Sequence, residues 1–322
     1  MLRFISISLA ACFLLGCGTP SFLITPVVNR NDLVEQTVQD GKGWRPKKIL
    51  IIPVEGMIAN TRGGALLGAG ENPVSLISQQ LDQAKTDANV VAVVLRVNSP
   101  GGTVTASDTL FQMVSRFRKA TGKPVVASAQ EMAASGGYYV ACAADCIVAQ
   151  PTSVTGSVGV VFTSLDLQDS LGKLGVRTDV IKSGQLKDMG SPLKHMTAEE
   201  RAVIQTMIDQ YFQQFQQIVR ERRALDDEGL AAFSDGRVLS GQQALKLRLV
   251  DSLGTLEDAV NIAKRLANQP NAKTVLYTRP YGYGGSIYAT NQIPAPQANT
   301  TQLTLPGFSE SLPPGFYYLW RP

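Results

Sequence analysis

The feature that most constrains the fold is an alternation of short, almost continuously apolar runs with helical segments, beginning at Lys48. Runs of Val, Ile and Ala without polar alternation are typical of parallel strands that helices cover on both faces. The sequence therefore predicts an α/β protein. The predicted strands are 48–54, 90–97, 124–129, 146–150 and 176–182. The predicted helices lie near 74–86, 105–120, from about 135, 197–223, 240–247 and 255–268.

Composition and charge exclude several classes of function. The formal net charge of +4 is small and evenly spread, so we expect no nucleic-acid partner. His195 is the single histidine, which disfavours His-rich metal sites, and we expect neither metal nor cofactor. A hydrolase built on this chain is therefore expected to use a base other than histidine. The charged fraction of 17% lies below the roughly 25% typical of soluble domains and favours extensive buried or shared surface.

Cysteine spacing gives no zinc motif. Cys142 and Cys146 stand four residues apart, and CxxC is absent from the sequence. The first interpretation is two buried thiols that behave as small apolar side chains. A disulfide between them is the alternative.

The N-terminus has the features of an export signal. Arg3 precedes an apolar run that ends at Leu15, too short to span ~30 Å of hydrocarbon comfortably. The sequence LLGC, which ends at Cys17, is similar to a bacterial lipobox. We therefore predict a signal peptide at 1–16, a lipid on Cys17 and a polar tether over 17–46. An uncleaved signal anchor and ordinary secretion are the alternatives.

The C-terminal part, residues 271–322, is predicted as one strand followed by a tail rich in Pro and aromatic residues. From Arg279 onward the prolines and glycines oppose regular structure, yet the aromatic content is high for an inert linker. Packing along the parent domain or a neighbouring subunit is one interpretation. A contact with a membrane surface or another partner is the other.

Three glycine-containing loops follow predicted strands, at the edge of the sheet where α/β proteins form their sites. They are 98–102, 133–139 and 155–160. Each is also an ordinary turn or helix start when taken alone. In the second loop Ser135 stands at a helix start, where a hydroxyl can cap the helix or act as a nucleophile.

A serine nucleophile needs a proton acceptor. His195 lies just before the helix at 197–223, where a solvated loop histidine is the simpler account. A lysine can act as the base when burial lowers its pKa. The candidate is Lys187, in a loop of small residues that follows the predicted strand at 176–182; a solvated lysine is the alternative.

Five motifs together resemble the signal peptide peptidase A family of Ser/Lys-dyad serine proteases. They are VNSPGG, MAASGGYY, TGSVGV, SGxxKDxGSP and DGRVLSGQQALKLRLVD, in this order over about residues 48–270. The resemblance implies a Clp protease/crotonase-like fold and a peptidase domain at 47–270. The lipobox and the aromatic tail lie outside the family pattern.

The resemblance also implies a role for each matching residue. Ser135 would be the nucleophile, Lys187 the general base and Ser157 the residue that orients the lysine amine. The backbone N–H groups of Gly102 and Gly136 would form the oxyanion hole. The substrate backbone would lie along Gly101, Gly156, Val158 and Gly159.

The implied activity is a membrane-tethered serine endopeptidase that cleaves remnant signal peptides or other short, apolar, extended peptides. The family assembles into homo-oligomeric rings with serine and lysine at subunit boundaries. The expected location is the bacterial cell envelope, lipid-anchored and facing the extracytoplasmic side of either the inner or the outer membrane. A catalytically silent oligomeric scaffold or peptide-binding module is the alternative. A crotonase-like acyl-CoA enzyme is disfavoured because export removes the chain from CoA.

Overall fold

The computed structural model of the chain describes residues 32–61, 64–65, 68–69, 71–280 and 315–320. Its strands are β1 Val34–Gln39, β2 Lys48–Ile58, β3 Gly64–Ala65, β4 Gly68–Ala69, β5 Val90–Thr103, β6 Val125–Ala134, β7 Cys146–Ala149, β8 Val154–Gly156, β9 Val161–Thr163, β10 Val238–Ser240, β11 Ser252–Leu253, β12 Lys273–Thr278 and β13 Gly315–Leu319. Its helices are α1 Pro73–Thr86, α2 Val104–Thr121, α3 Gly136–Ala141, α4 Gln168–Lys173, α5 Ala198–Arg223, α6 Asp227–Ala231, α7 Gly241–Lys246 and α8 Leu256–Leu266.

Four parallel strands form the centre of the main sheet. β2, β5, β6 and β7 lie side by side, with Leu50 opposite Val93, Val94 opposite Val126, and Val126 opposite Cys146. β12 runs parallel to β2, and β11 runs parallel to β7. Because the carboxyl ends of parallel strands meet at one edge, the loops that follow β5 and β6 are brought together.

Alternate side chains of β2 enter two separate cores. Leu50 and Ile52 belong to the core beneath α1, α2, α3 and α5, whereas Ile49 and Ile51 face α8 on the other side of the sheet. All four side chains are fully buried. Burial on both faces explains why the strand shows no polar alternation, and the predicted α/β class is confirmed.

Local sequence signals set the ends of the longer helices. Asn72 caps α1 by accepting hydrogen bonds from the N–H groups of Val74 and Ser75. At α5, Thr197 and Glu200 make both hydrogen bonds of the predicted capping box. Helices α1, α2, α5, α7 and α8 lie where the sequence predicts them.

The predicted strand at 176–182 is wrong. This segment follows α4 and has no regular secondary structure. Val180 is 47% exposed and Ile181 is 99% exposed. β-branched composition does not make a strand where the described fold provides no neighbouring strand to pair with. The strand in this part of the chain is β9, which pairs with β13 instead.

The folded part begins earlier than Lys48. β1 lies within the segment predicted as a tether and pairs antiparallel with β12, with Val34 opposite Thr278. Glu35 bridges Lys48 of β2 and Lys273 of β12, at 2.6 Å in each case. The strand predicted at the start of 271–322 is β12, and it is part of the main sheet. β1 escapes detection because its sequence VEQTVQ is largely polar, as befits an edge strand.

Cys142 and Cys146 are both free thiols and form no disulfide with each other. Cys142 is buried, as the first interpretation expects, whereas Cys146 is only half-buried. Burial raises the pKa of Cys142 to about 12, so its thiol is inert. The predicted signal peptide and Cys17 lie outside the described residues. Within residues 32–280 and 315–320, as far as they are described, no helix is long and apolar enough to cross a membrane.

Candidate active site

Ser135 occupies the turn between β6 and α3. Its backbone has φ 51° and ψ −117°, a left-handed conformation that costs a non-glycine residue about 1–3 kcal/mol. Its N–H donates to the Gly156 carbonyl at 2.8 Å, and its carbonyl accepts from the Tyr139 N–H at 2.8 Å. The hydroxyl makes no capping hydrogen bond, although Ser135 holds the cap position. The turn is thus held by backbone contacts, and the hydroxyl is not required for the helix start.

The loop at the end of β5 lies directly against this turn. Ser99 pairs with Ala133 in the sheet, and the Met132 N–H donates to Asn98 Oδ1 at 3.2 Å. Ser99 Oγ also donates to the Gly56 carbonyl at 2.6 Å. These contacts fix the loop from both neighbouring strands.

Three glycines of these loops have no room for a side chain. A Cβ on Gly102 would collide with the Ile58 carbonyl, and a Cβ on Gly136 would collide with Ser107 Oγ. Gly101 has φ +107°, and a Cβ there would approach the Gly136 nitrogen to 2.7 Å. Gly101 therefore lies against Gly136, the residue after Ser135, and Gly102 follows Gly101 in the chain. Without side chains, the backbone of these positions can be approached closely.

The third predicted loop completes this cluster. β8 runs parallel to β6, with Thr155 opposite Ala133 and Gly156 opposite Ala134. Ser157 follows with φ 52° and is only 7% exposed. Its N–H donates to the Arg237 carbonyl at 2.8 Å, which ties it to the segment before β10. Ser157 is thus held directly after Gly156, the residue whose carbonyl fixes the Ser135 turn.

A cavity of about 430 Å³ opens beyond Ser157. Its lining comes from the third loop, β9 and the end of β13: Ser157, Gly159, Val160, Val161, Thr163, Gly236, Leu319 and Trp320. Val158 is fully buried and does not line it. Of the residues expected to hold substrate backbone, Gly159 therefore faces open space, and the side chain of Val158 packs in the core.

Lys187 lies apart from this cluster, in the irregular segment that follows α4. Its side chain is exposed, and its N–H donates to the Gly184 carbonyl at 3.1 Å. The neighbouring Asp188 is bound by Lys182 at 2.7 Å and by Lys194 at 3.0 Å. Hydrogen bonds from these two lysines lower the pKa of Asp188 to about 2. The segment is thus anchored beside Lys187, but within one chain the structure records no contact between Lys187 and Ser135.

His195 takes part in a separate surface cluster. Nδ1 lies 2.8 Å from Asp166 and Nε2 lies 3.2 Å from Asp169, and the side chain is 57% exposed. The hydrogen bond with Asp166 is the main cause of a raised pKa for His195. These contacts join the start of α5 to α4 and give His195 a structural role on the surface.

Sequence reasoning missed one element at the site. β13 runs antiparallel to β5 and places Tyr318 opposite Gly102 and Leu319 opposite Gly101. Of the alternatives weighed for the C-terminal part, this strand supports packing along the parent domain. The run GFYYLW was the available signal, since aromatic residues favour strands. The pairing itself joins residues far apart in sequence and leaves no local trace.

Comparison with known proteins agrees with this architecture. Residues 117–270 match the model of Peptidase family S49. A protein from Enterococcus faecium named signal peptide peptidase SppA is 32% identical over 296 residues, covering 89% of this chain and 85% of that protein. Protease 4 of Haemophilus influenzae is 34% identical over 224 residues, or 70% of this chain and 35% of that protein. The chloroplastic serine protease SPPA of Arabidopsis thaliana is 30% identical over 229 residues, or 71% and 34%.

The chain spans about a third of the length of the Haemophilus and Arabidopsis relatives and most of the length of the Enterococcus protein. Its identity to the last, over nearly the whole of both chains, agrees with the strand-end loops and with the family match over 117–270. The chain belongs to peptidase family S49, the signal peptide peptidase A family, and is a serine protease with a Clp protease/crotonase-like fold.

Proposed function

We propose that the protein is a membrane-tethered endopeptidase that cleaves remnant signal peptides, or other short apolar peptides, with Ser135 as nucleophile and Lys187 as general base. The observation that supports this most is the Ser135 turn. The Ser135 hydroxyl makes no capping hydrogen bond, and it lies beside glycines at which a Cβ would collide with neighbouring atoms. Such an arrangement suits attack on a carbonyl that backbone N–H groups polarise.

The proposed reaction needs only groups of the chain and water. Neutral Lys187 takes the proton of Ser135 while the alkoxide attacks a peptide carbonyl. The N–H groups of Gly102 and Gly136 stabilise the oxyanion, each by about 3 kcal/mol. Lys187 then protonates the leaving amine, and water hydrolyses the ester by the same route. Ser157 would orient the Lys187 amine toward Ser135 through a hydrogen bond.

The position of Lys187 supports a shared site between subunits. An amine acts as a base only in its neutral form, and burial away from water favours that form. Lys187 is exposed in the single chain, so a neighbouring subunit must cover it. Leu174 and Ile181, 78% and 99% exposed on the segment before Lys187, offer an apolar surface for such a neighbour. We therefore propose that the active enzyme is a homo-oligomeric ring.

Covalent labelling tests the proposed peptidase against a silent scaffold of the same fold. The chain from residue 18 onward, treated with a fluorophosphonate, is expected to carry the label on Ser135, identified by peptide mass. Ser128→Ala provides a matched control, because Ser128 is a buried serine on β6 that interacts with Gln130. Labelling that persists in Ser135→Ala, or no labelling of the assembled wild type, contradicts the proposal.

Membrane attachment is proposed to depend on Cys17. Cys17→Ala is expected to lose a metabolically incorporated fatty-acid analogue and to leave the membrane fraction, because acyl chains supply the anchoring free energy. Fractionation of cells expressing each protein, with the analogue detected on gels, measures both effects. An unlabelled wild-type protein that still sediments with membranes would favour an uncleaved signal anchor.

His195 is expected to influence stability, not the catalytic pH profile. Because its folded pKa is raised by Asp166, the pair stabilises the fold fully below the unfolded pKa of ~6.5. That stabilisation is lost as the pH rises through the folded pKa. Urea unfolding should therefore separate wild type from His195→Ala more at pH 5.5 than at pH 8.5. Both proteins should show the same rising limb of kcat against pH; a limb that disappears in His195→Ala would make histidine the base.

A further inference from the structure

The edge of the main sheet where β2, β5, β6 and β7 begin lies opposite the candidate active site and carries many lysines and arginines. We call it the amino edge. Helices that connect parallel strands run back across the sheet, so several helices end there. Cations are favoured in the last turn of a helix, because they offset its dipole. Such turns contain Lys85 of α1, Arg118 and Lys119 of α2, and Arg222 of α5.

Two cavities open at the amino edge, with volumes of about 610 Å³ and 540 Å³. Among the described residues, only Asp82 and Asp145 bring negative charge to either lining. Asp145 is already bound by Arg118 and by the Val125 N–H, the latter at 2.8 Å. The linings are therefore strongly basic. Their cations are Lys85, Arg116, Arg118, Lys119, Lys123 and Arg222.

Two arginines of the larger cavity lie close together. Arg118 Nη1 donates to the Ala143 carbonyl at 2.7 Å, and Arg222 Nη2 donates to the next carbonyl, that of Ala144, at 2.8 Å. Burial lowers the pKa of Arg222, and the charge of Arg118 lowers it further. An anion in the cavity would offset this repulsion, and phosphate suits the donor geometry of arginine.

An exposed tryptophan lies on the turn between β1 and β2. Trp44 is 92% exposed, although tryptophan side chains are usually well buried. The turn is fixed on both sides of Trp44. The Lys42 N–H donates to the Asn271 carbonyl at 3.0 Å, and Lys47 Nζ donates to the Ala88 carbonyl at 3.2 Å. The fold therefore holds this apolar ring in the solvent.

The Trp44 turn adjoins the larger cavity. Lys123, which lines that cavity, donates to the Asp87 carbonyl at 2.9 Å, one residue from the carbonyl that Lys47 binds. Leu266 also lines the cavity and is 51% exposed. The amino edge thus presents exposed apolar side chains among cations.

This combination matches the surface of a membrane. Tryptophan is enriched at the level of the lipid headgroups, and lysines and arginines are attracted to acidic phospholipids. A soluble anion would leave Trp44 and Leu266 in water. We propose that the amino edge binds a membrane surface that contains acidic phospholipids, with Trp44 among the headgroups and lipid phosphates at the two cavities.

Binding in this way would orient the enzyme. The ten residues of β6, at ~3.3 Å each, place Ser135 about 33 Å from the amino edge, on the side that faces water. Leu33 lies at the opposite edge, because Val34 pairs with Thr278 at the end of β12. β1 spans only ~20 Å, so the longer proposed tether allows Cys17 to carry its lipid in the same membrane.

The contact is weaker than the proposed lipid anchor and is released by salt, which screens charges at a surface. Cys17→Ala is therefore still expected to leave a membrane fraction that has been washed with salt. The inference depends neither on the peptidase chemistry nor on the lipid at Cys17, since it concerns a surface of the folded part alone.

Co-sedimentation with vesicles tests the inference on the chain from residue 18 onward, which carries no acyl group. Every described strand and helix begins after Asp32, so this chain keeps the whole described fold. At ~0.1 M salt we expect binding to vesicles of phosphatidylcholine and phosphatidylglycerol at least about tenfold tighter than to phosphatidylcholine alone. Each lysine or arginine near an acidic membrane contributes about fivefold.

Exchange of two exposed lysines tests the surface itself. Lys85→Glu combined with Lys119→Glu is expected to weaken binding to the acidic vesicles at least about tenfold. The matched control is Lys173→Glu combined with Arg201→Glu, which changes the net charge equally. Arg201 lies in the first turn of α5, about 32 Å along the helix from Arg222. The control pair should bind as wild type does.

Tryptophan fluorescence tests the position of Trp44. The chain has two tryptophans, so Trp320→Phe leaves Trp44 as the single one. Acidic vesicles with brominated acyl chains are expected to reduce its fluorescence at least about twofold relative to unbrominated vesicles, because bromine quenches a ring at headgroup depth.

Several outcomes overturn the inference. They are equal binding to the two kinds of vesicle, equal loss of binding in the control pair, and Trp44 fluorescence that brominated chains leave unchanged. Self-association of the wild type that Trp44→Ala abolishes would instead make a second copy of the chain the occupant of this surface. Labelling of Ser135 on the same samples keeps these outcomes distinct from a failure of the proposed peptidase function.

Discussion

Ser135→Ala is expected to lower kcat for peptide cleavage by at least ~10⁴-fold while the protein folds and assembles normally. The hydroxyl makes no capping bond, and the turn is held by backbone hydrogen bonds to Gly156 and Tyr139. Alanine tolerates the left-handed backbone of this position as well as serine does. Stability is therefore expected to change little, and a loss of activity can be assigned to the chemistry. Hydrolysis of a peptide substrate, with unfolding measured on the same samples, provides the two readouts.

Lys187→Ala should give a comparable loss, and the double variant should be no worse than either single one, because both side chains act at one proton transfer. Lys173→Ala is the control, since Lys173 is an exposed lysine on nearby α4. More than about a tenth of wild-type kcat remaining in Lys187→Ala is far above the activity expected without a general base. That result would remove Lys187 from the proposed mechanism.

Gly102→Ala is expected to reduce kcat by at least ~10²-fold, the effect of losing one oxyanion donor. The added Cβ would collide with the Ile58 carbonyl, so the loop that carries the Gly102 N–H must move. Gly172→Ala is a fitting control, because a Cβ there meets no atom within 4 Å. Kinetics with one peptide, together with thermal unfolding, separates displacement of the donor from general destabilisation. Wild-type kcat in Gly102→Ala would place the donor elsewhere.

The central architecture is predictable from the sequence because its signals are local. A strand such as β5 must be apolar throughout when helices cover both faces. The capping box of Thr197 and Glu200 predicts the start of α5. The strands at the edges of the sheet are harder to predict from the sequence. β1 is polar, since one side of an edge strand meets water, whereas the apolar residues at 176–182 suggest a strand that no described neighbour supports. Pairing between distant segments decides both cases.

The same contrast between local signals and distant contacts applies to the candidate site. Ser135 and the glycines lie at the ends of adjacent parallel strands, so their proximity follows from the strand order. The position of Lys187 depends on an irregular segment and, in our proposal, on a second subunit. The roles of these residues came from the resemblance, because the isolated motifs are compatible with ordinary turns and caps. The pairing of β13 with β5 was beyond prediction, since Tyr318 lies opposite Gly102 from more than two hundred positions away.

The pairing of β1 with β12 determines how long the proposed tether between Cys17 and the folded part can be. If Cys17 carries the lipid, only sixteen Cα–Cα steps, from Cys17 to Leu33, separate the bilayer from the folded part. At ~3.5 Å per residue this chain reaches at most ~56 Å, about half the reach available had folding begun at Lys48. Such a short tether would confine the folded part to a thin layer above the membrane that holds the lipid. With the proposed lipid on Cys17, a peptide released into the bulk would have to return to this layer before the enzyme could bind it.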